Sequence, residues 1–155
     1  MEISRFAGSP GKGFSMHDRL VTHADAAIPL DAVKKPDLED WLKKQSGQDA
    51  KWVRSTGFAA KEGELLLVPA PDGGIGFAVL GLGDLPDPLA AAVFSESLPE
   101  STYVFRDVPE ELAGARGVLA WLLGTYEFDR YRKRSRRFPL LLVPAQVDPA
   151  DVQRI

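Results

Sequence analysis

The side chains able to do chemistry are few. His17 and His23 are the whole imidazole supply, and there is no cysteine. Thiolate nucleophiles, thiolate metal sites and disulfides are therefore excluded. The two histidines do not have the i, i+4 spacing of a helical zinc pair, and surface roles are expected for both. Acidic residues gather at Asp37, Glu39 and Asp40, and again at Glu110 and Glu111. Both groups stand at expected helix starts, where negative charge complements the helix dipole. Neither sets up a carboxylate pair for acid–base work. No serine lies in a G-x-S-x-G setting, so a hydrolase elbow has no support. No catalytic, cofactor-binding or metal-binding residue is assigned.

Two stretches could bind rather than react. Gly81-Leu82-Gly83-Asp84-Leu85-Pro86 begins like a dinucleotide fingerprint, but Pro86 stands where the third glycine belongs. It is read as a strand end turning sharply. The alternative is a phosphate held on glycine N–H groups. Arg130, Arg132, Lys133, Arg134, Arg136 and Arg137 surround Tyr131 in a dense basic cluster. It is read as a solvated loop whose cations favour the preceding helix's C-terminus. The alternative is a patch for nucleic-acid phosphates. Trp41, Trp52 and Trp121 are expected as core anchors, since their neighbours are apolar at helical spacing.

The element that must organise the rest runs from Asp107 to Tyr131. Leu112, Ala115, Leu119, Leu122 and Tyr126 recur at steps of three and four, which stacks them on one helix face. Val118, Trp121 and Leu123 widen the stripe, so a deeply buried helix is expected. Asp107 and Glu110 have capping-box spacing, with Pro109 in the first turn. Gly114 and Gly117 are read as places where this helix lies close to a sheet.

Around it, Ala26 to Leu30 reads as a short strand or extended lead-in, and Pro36 opens a helix through Gln45 that Gly47 ends. Trp52 to Phe58 fits a short helix or a strand. Glu64 to Val68 and Ile75 to Leu82 read as a hairpin about Pro71-Asp72-Gly73-Gly74, with the second strand covered on both faces. Leu89 to Ser97 is a short helix, Thr102 to Phe105 a strand, and Phe138 to Val143 a further strand. Asp148-Pro149 is a helix start of N-cap and N1 proline. Residues 1–25 are read as a flexible leader, with Met16 an alternative first residue. Residues 26–147 form one α/β domain with a mixed sheet flanked by helices. Residues 148–155 are read as the start of a helix cut short, because a single isolated turn is unstable.

The chain of 155 residues, 45% hydrophobic and 26% charged, has the size and composition of one globular domain. No apolar run approaches the ~18 residues needed to cross a bilayer. No signal-peptide h-region opens the chain, and a cytoplasmic protein is expected. The net charge of −3 gives no general pull toward nucleic acid.

Trp41-Leu42, Trp52, Gly57-Phe58, Gly63, Asp72-Gly73, Val79-Leu80-Gly81-Leu82-Gly83, Leu98-Pro99 and Tyr103 form a familiar series. Together they resemble bacterial proteins of the leucyl aminopeptidase (cytosol aminopeptidase) family. The most specific stretch is Ala120-Trp121-Leu122-Leu123-Gly124-Thr125-Tyr126-Glu127-Phe128-Asp129-Arg130-Tyr131, similar to that family's LGxYxFxRY segment. The resemblance spans Ala26 to the end and concerns only the family's N-terminal domain. It implies a macro-domain-like topology and a support role toward a C-terminal catalytic domain that removes N-terminal amino acids from peptides. It also implies two divalent metal ions (Zn or Mn) in that catalytic domain, and homohexamers for full-length members. None of the family's metal or catalytic motifs occurs here. The alternatives are a stand-alone module binding ADP-ribose or a related nucleotide, and a nucleic-acid contact through residues 130–137.

Overall fold

In the computed structural model, residues 20–143 are described, apart from 23, 25, 86 and 132–138; the side chains of 88 and 126–131 are also outside the description. The strands are β1 (Leu20–Val21), β2 (Ile28–Val33), β3 (Leu65–Pro69), β4 (Ile75–Gly81), β5 (Thr102–Asp107) and β6 (Leu140–Leu142). They form one sheet in the order β1-β6-β5-β2-β4-β3. Every neighbouring pair is parallel except β3 and β4. The sheet is thus mixed, as expected, and its antiparallel edge is the expected hairpin. Asp72 Oδ1 accepts from Gly74 N at 2.8 Å and stiffens the hairpin turn. The edge strand β1 comes from a segment read as part of the leader.

Among the described residues, five α-helices cover the sheet: α1 (Leu38–Lys43), α2 (Gly47–Thr56), α3 (Ala91–Ser97), α4 (Glu110–Ala113) and α5 (Ala115–Tyr131). Alternation along the strands sends side chains to two separate cores. Leu30, Ala32, Ala78 and Leu80 pack with Phe94, Leu112 and Trp121 beneath α3, α4 and α5. Val33, Phe77 and Val79 pack with Trp41, Leu42 and Val53 beneath α1 and α2. Helices on both faces explain the unbroken apolar character of β4, buried from Phe77 to Gly81.

Several local expectations are corrected. The segment from Asp107 to Tyr131 is two helices rather than one, and Gly114 is extended between them (φ −93°, ψ −167°). The Gly114 carbonyl accepts from Gly117 N and Val118 N at 3.1 and 3.2 Å, so it starts α5. The capping box does not form. Asp107 ends β5, and Pro109 is the N-cap of α4 without a side-chain bond. Gly114 meets nothing where a Cβ would stand. Gly117 touches the Leu112 backbone of α4 instead of a sheet, because the break folds α4 back across the first turn of α5. A second tight glycine of α5, Gly124, lies against Ala92 O and Ser95 Oγ of α3.

Gly47 begins α2 instead of ending α1. Ser46 is the N-cap, its Oγ accepting from Asp49 N at 3.1 Å, and Gly57 closes the helix in the left-handed region (φ +81°). Trp52 is no core anchor. It is 43% exposed, because Val53 takes the buried stripe of α2 and the next residue lies about 100° round the helix. Trp41 and Trp121 are buried as expected. The helix start at Asp148-Pro149 lies outside the described residues.

Candidate functional site

The charged centre of the molecule lies at the carboxyl ends of β2 and β5. After β2 the chain turns toward β3 and β4, and after β5 it turns the other way toward β6. This is a topological switch point, where open α/β sheets form their ligand crevice. A cleft of about 330 Å³ opens there, lined among others by Lys34, Asp37, Trp41, Lys44, Asp107 and Pro109.

Asp31 interrupts the apolar run of β2, and its side chain is fully buried. Its carboxylate accepts from Trp41 Nε1 at 2.9 Å, from Arg106 Nε and Nη2 at 2.9 and 2.7 Å, and from Asp107 N at 3.1 Å. The two guanidinium bonds are the planar bidentate pair that arginine makes best. Arg106 also lies over the Phe77 ring, 4.7 Å from its centroid. Trp41 meets the same ring edge-on at 6.2 Å. The carboxylate raises the affinity of Arg106 for its proton, so the guanidinium is permanently charged.

Nearer solvent, Lys44 Nζ donates to Asp107 Oδ2 at 2.8 Å. That bond, and then the charge of Asp107, push the Lys44 ammonium above its ordinary value. Lys44 is therefore no nucleophile at neutral pH. Asp31 accepts four hydrogen bonds and has no free lone pair aimed at the cleft, so it is no general base. The arrangement ties β2, β5 and α1 together across 75 residues of sequence. Sequence reasoning missed this pair; the signal available was a charge set into each of two apolar strands.

The other candidate residues scatter. Asp37, Glu39 and Asp40 form exposed pairs with Lys34, Arg54 and Lys43 at 4.0, 3.2 and 3.9 Å. Glu110 and Glu111 open α4. The Gly81–Gly83 segment has its amides engaged: Gly81 N donates to Glu64 O, Leu82 N to Val33 O and Gly83 N to Ala60 O. No amide of the three is free to cradle a phosphate, so the sharp-turn reading holds there. Backbone of Ala60 and Lys61 fills the space a Cβ on Gly81 would need. His17, His23, Pro86 and the basic residues of the 130–137 cluster lie outside the described side chains.

Among the described residues no group of three or more His, Cys, Asp or Glu side chains could hold a metal ion. The two acids at the switch point, Asp31 and Asp107, are bound to Arg106, Trp41 and Lys44. These residues do not fit a divalent-metal centre. Among them, no helix is long and apolar enough to cross a membrane.

Residues 28–144 match the family profile of the M17 aminopeptidase N-terminal domain. The fold is similar to that of cytosol aminopeptidase from Coxiella burnetii, at 28% identity and a TM-score of 0.71. That alignment covers 83% of this chain and 29% of the Coxiella protein, so the chain spans under a third of that protein's length. The fold is also shared, at 21% identity and a TM-score of 0.52, with the bottromycin maturation enzyme BotP in complex with Mn, over 83% of this chain and 28% of that one. No curated protein sequence matches the chain. The agreement of family profile and sheet leads to one assignment: the chain belongs to the M17 aminopeptidase family, of which it carries the N-terminal domain.

Proposed function

We propose that this domain serves as the non-catalytic N-terminal domain of a leucyl aminopeptidase-like metallopeptidase that removes N-terminal amino acids from peptides. Its role is support: it orients a C-terminal catalytic domain and contributes to the contacts of a homo-oligomer, a hexamer in the full-length enzyme. Two divalent cations, Zn or Mn, belong to that catalytic domain, where they activate water and polarise the scissile carbonyl. The working compartment is the cytoplasm. The observation that carries this reading is the family match across residues 28–144, on a chain that spans 29% of the Coxiella cytosol aminopeptidase. The chemistry of the switch-point cleft supports it too, because its charged groups hold the fold together.

The test is an assay of the purified chain on a leucyl anilide with Mn²⁺ or Zn²⁺. No turnover above the metal blank is expected. The second arm fuses the chain ahead of an M17 catalytic domain that lacks its own N-terminal domain, which should restore the stability or activity the shortened enzyme loses. Metal-dependent turnover by the chain alone, or a fusion no better than the shortened enzyme, overturns the reading.

A further inference from the structure

At the end of the sheet opposite β1, β3 has no neighbour on its outer side among the described residues. Gly81 N donates to Glu64 O, which fixes the phase of the β3–β4 ladder. Leu66 with Val79 and Val68 with Phe77 are then the hydrogen-bonded pairs. The N–H and C=O groups of Leu65 and Leu67 therefore face outward, unpaired by β4. An open edge of this kind is a template for another strand, and proteins that must avoid pairing blunt it with charge. Here the outward positions are leucines, and Leu67 is 37% exposed. On the opposite face of the same edge, Trp52 is 43% exposed. It lines a groove of about 270 Å³ with Gln48, Asp49, Lys51, Ser55, Val68 and Pro69. Trp is one of the side chains enriched at the energetic centre of interfaces.

We propose that the β3 edge and the Trp52 groove form a two-fold interface with a second copy of this chain, joining two sheets through antiparallel β3 strands. The inference rests on the oligomeric reading above and supplies a surface for it. The register follows from the outward groups. With the axis at Leu66, Leu65 of each copy forms a hydrogen-bonded pair with Leu67 of the other. Pro69 has no N–H and ends the ladder. The same register brings the partner's Lys61–Glu62–Gly63 turn to the Val68–Pro69 end of β3. The groove there carries one acid and one base, Asp49 and Lys51, and the exposed turn offers one of each in Lys61 and Glu62, a set able to pair with opposite charge across the two-fold axis. That complementarity favours a second copy over an unrelated extended peptide. A ladder this short is a weak contact by itself, to be read at high protein concentration.

Sedimentation velocity of the chain, from low micromolar to near millimolar, should show reversible dimer formation with a blue shift of Trp52 emission. Leu67→Pro removes only an outward N–H and should weaken association about tenfold or more. Leu67→Lys keeps the backbone and should do the same by placing charge on the edge. The absence of cysteine permits a direct check of register. Leu66→Cys on the axis sits in a non-hydrogen-bonded pair, where Cβ atoms approach most closely. It should form a disulfide dimer faster than Leu85→Cys, an exposed position outside β3. A chain that stays monomeric throughout, with Leu66→Cys oxidising no faster than Leu85→Cys, overturns the interface. So does self-association that neither Leu67 variant weakens, although that result leaves the oligomeric support role standing. Absence of a dimer does not bear on the anilide assay, so the two readings fail separately.

Discussion

Asp31 shows how one side chain can matter more than its charge suggests. It is fully buried, and its two oxygens accept from four donors. Replacing it with alanine leaves the Trp41 indole N–H and one face of a guanidinium without an acceptor. Asp31→Ala should lose about 3 kcal/mol of unfolding free energy in a urea titration, the range for breaking a buried pair by removing one partner. The Lys44–Asp107 pair looks similar on paper but is solvent-exposed, and its loss should cost under about 1 kcal/mol. Tyr103 gives a pH signature. Burial pushes its phenol from 10.0 up to about 12, while its hydroxyl donates to Pro99 O at 2.7 Å. The folded state thus holds the proton more tightly than the unfolded one. The stabilisation is complete below pH 10.0 and disappears as the pH rises to about 12, at roughly 1.4 kcal/mol per pH unit. Lys44, whose pKa is also raised, contributes in the same direction at the alkaline end. Tyr103→Phe should flatten the slope between those limits, measured by urea titration at closely spaced alkaline pH values.

At the scale of elements, the contact between α3 and α5 depends on a missing side chain. Ser95 Oγ donates to Trp121 O at 2.7 Å directly beside Gly124. On an exposed helix, Gly→Ala would stabilise by about 1 kcal/mol. Gly124→Ala should instead destabilise by about 1–3 kcal/mol, because the new methyl meets Ser95 Oγ and the Ala92 carbonyl. A thermal melt decides the sign. Other elements divide by how local their signals are. The hairpin and the parallel strands were legible because alternation and turn residues act over a few positions. The break at Gly114 was not. The 3.6-residue pattern runs through it, and only the backbone of Leu112 crossing Gly117 shows why the helix must stop and restart. Ser46 with Asp49 was a readable capping signal that the expectation at Gly47 passed over. Trp52 was not legible as exposed, because apolar neighbours do not show that Val53 is the residue of α2 facing the sheet. The Asp31–Arg106 pair could not be derived from periodicity, since its partners lie 75 residues apart.

At the scale of the whole molecule, family membership was legible in the Ala120–Tyr131 segment well before any contact was known. The reason is physical: that segment is the helix whose buried face and close-approach glycine must fit α3, so few sequences satisfy it. The strand order was less legible, because parallel neighbours are brought together by tertiary packing rather than by turns. That order has a consequence in time. β2 lies between β4 and β5, and β1 is held by β6 through Leu20 with Leu141 and Val21 with Leu142. A chain emerging from the ribosome therefore cannot seat β1 until β6 has been translated. Until then, the edge held by those two strands stays unformed.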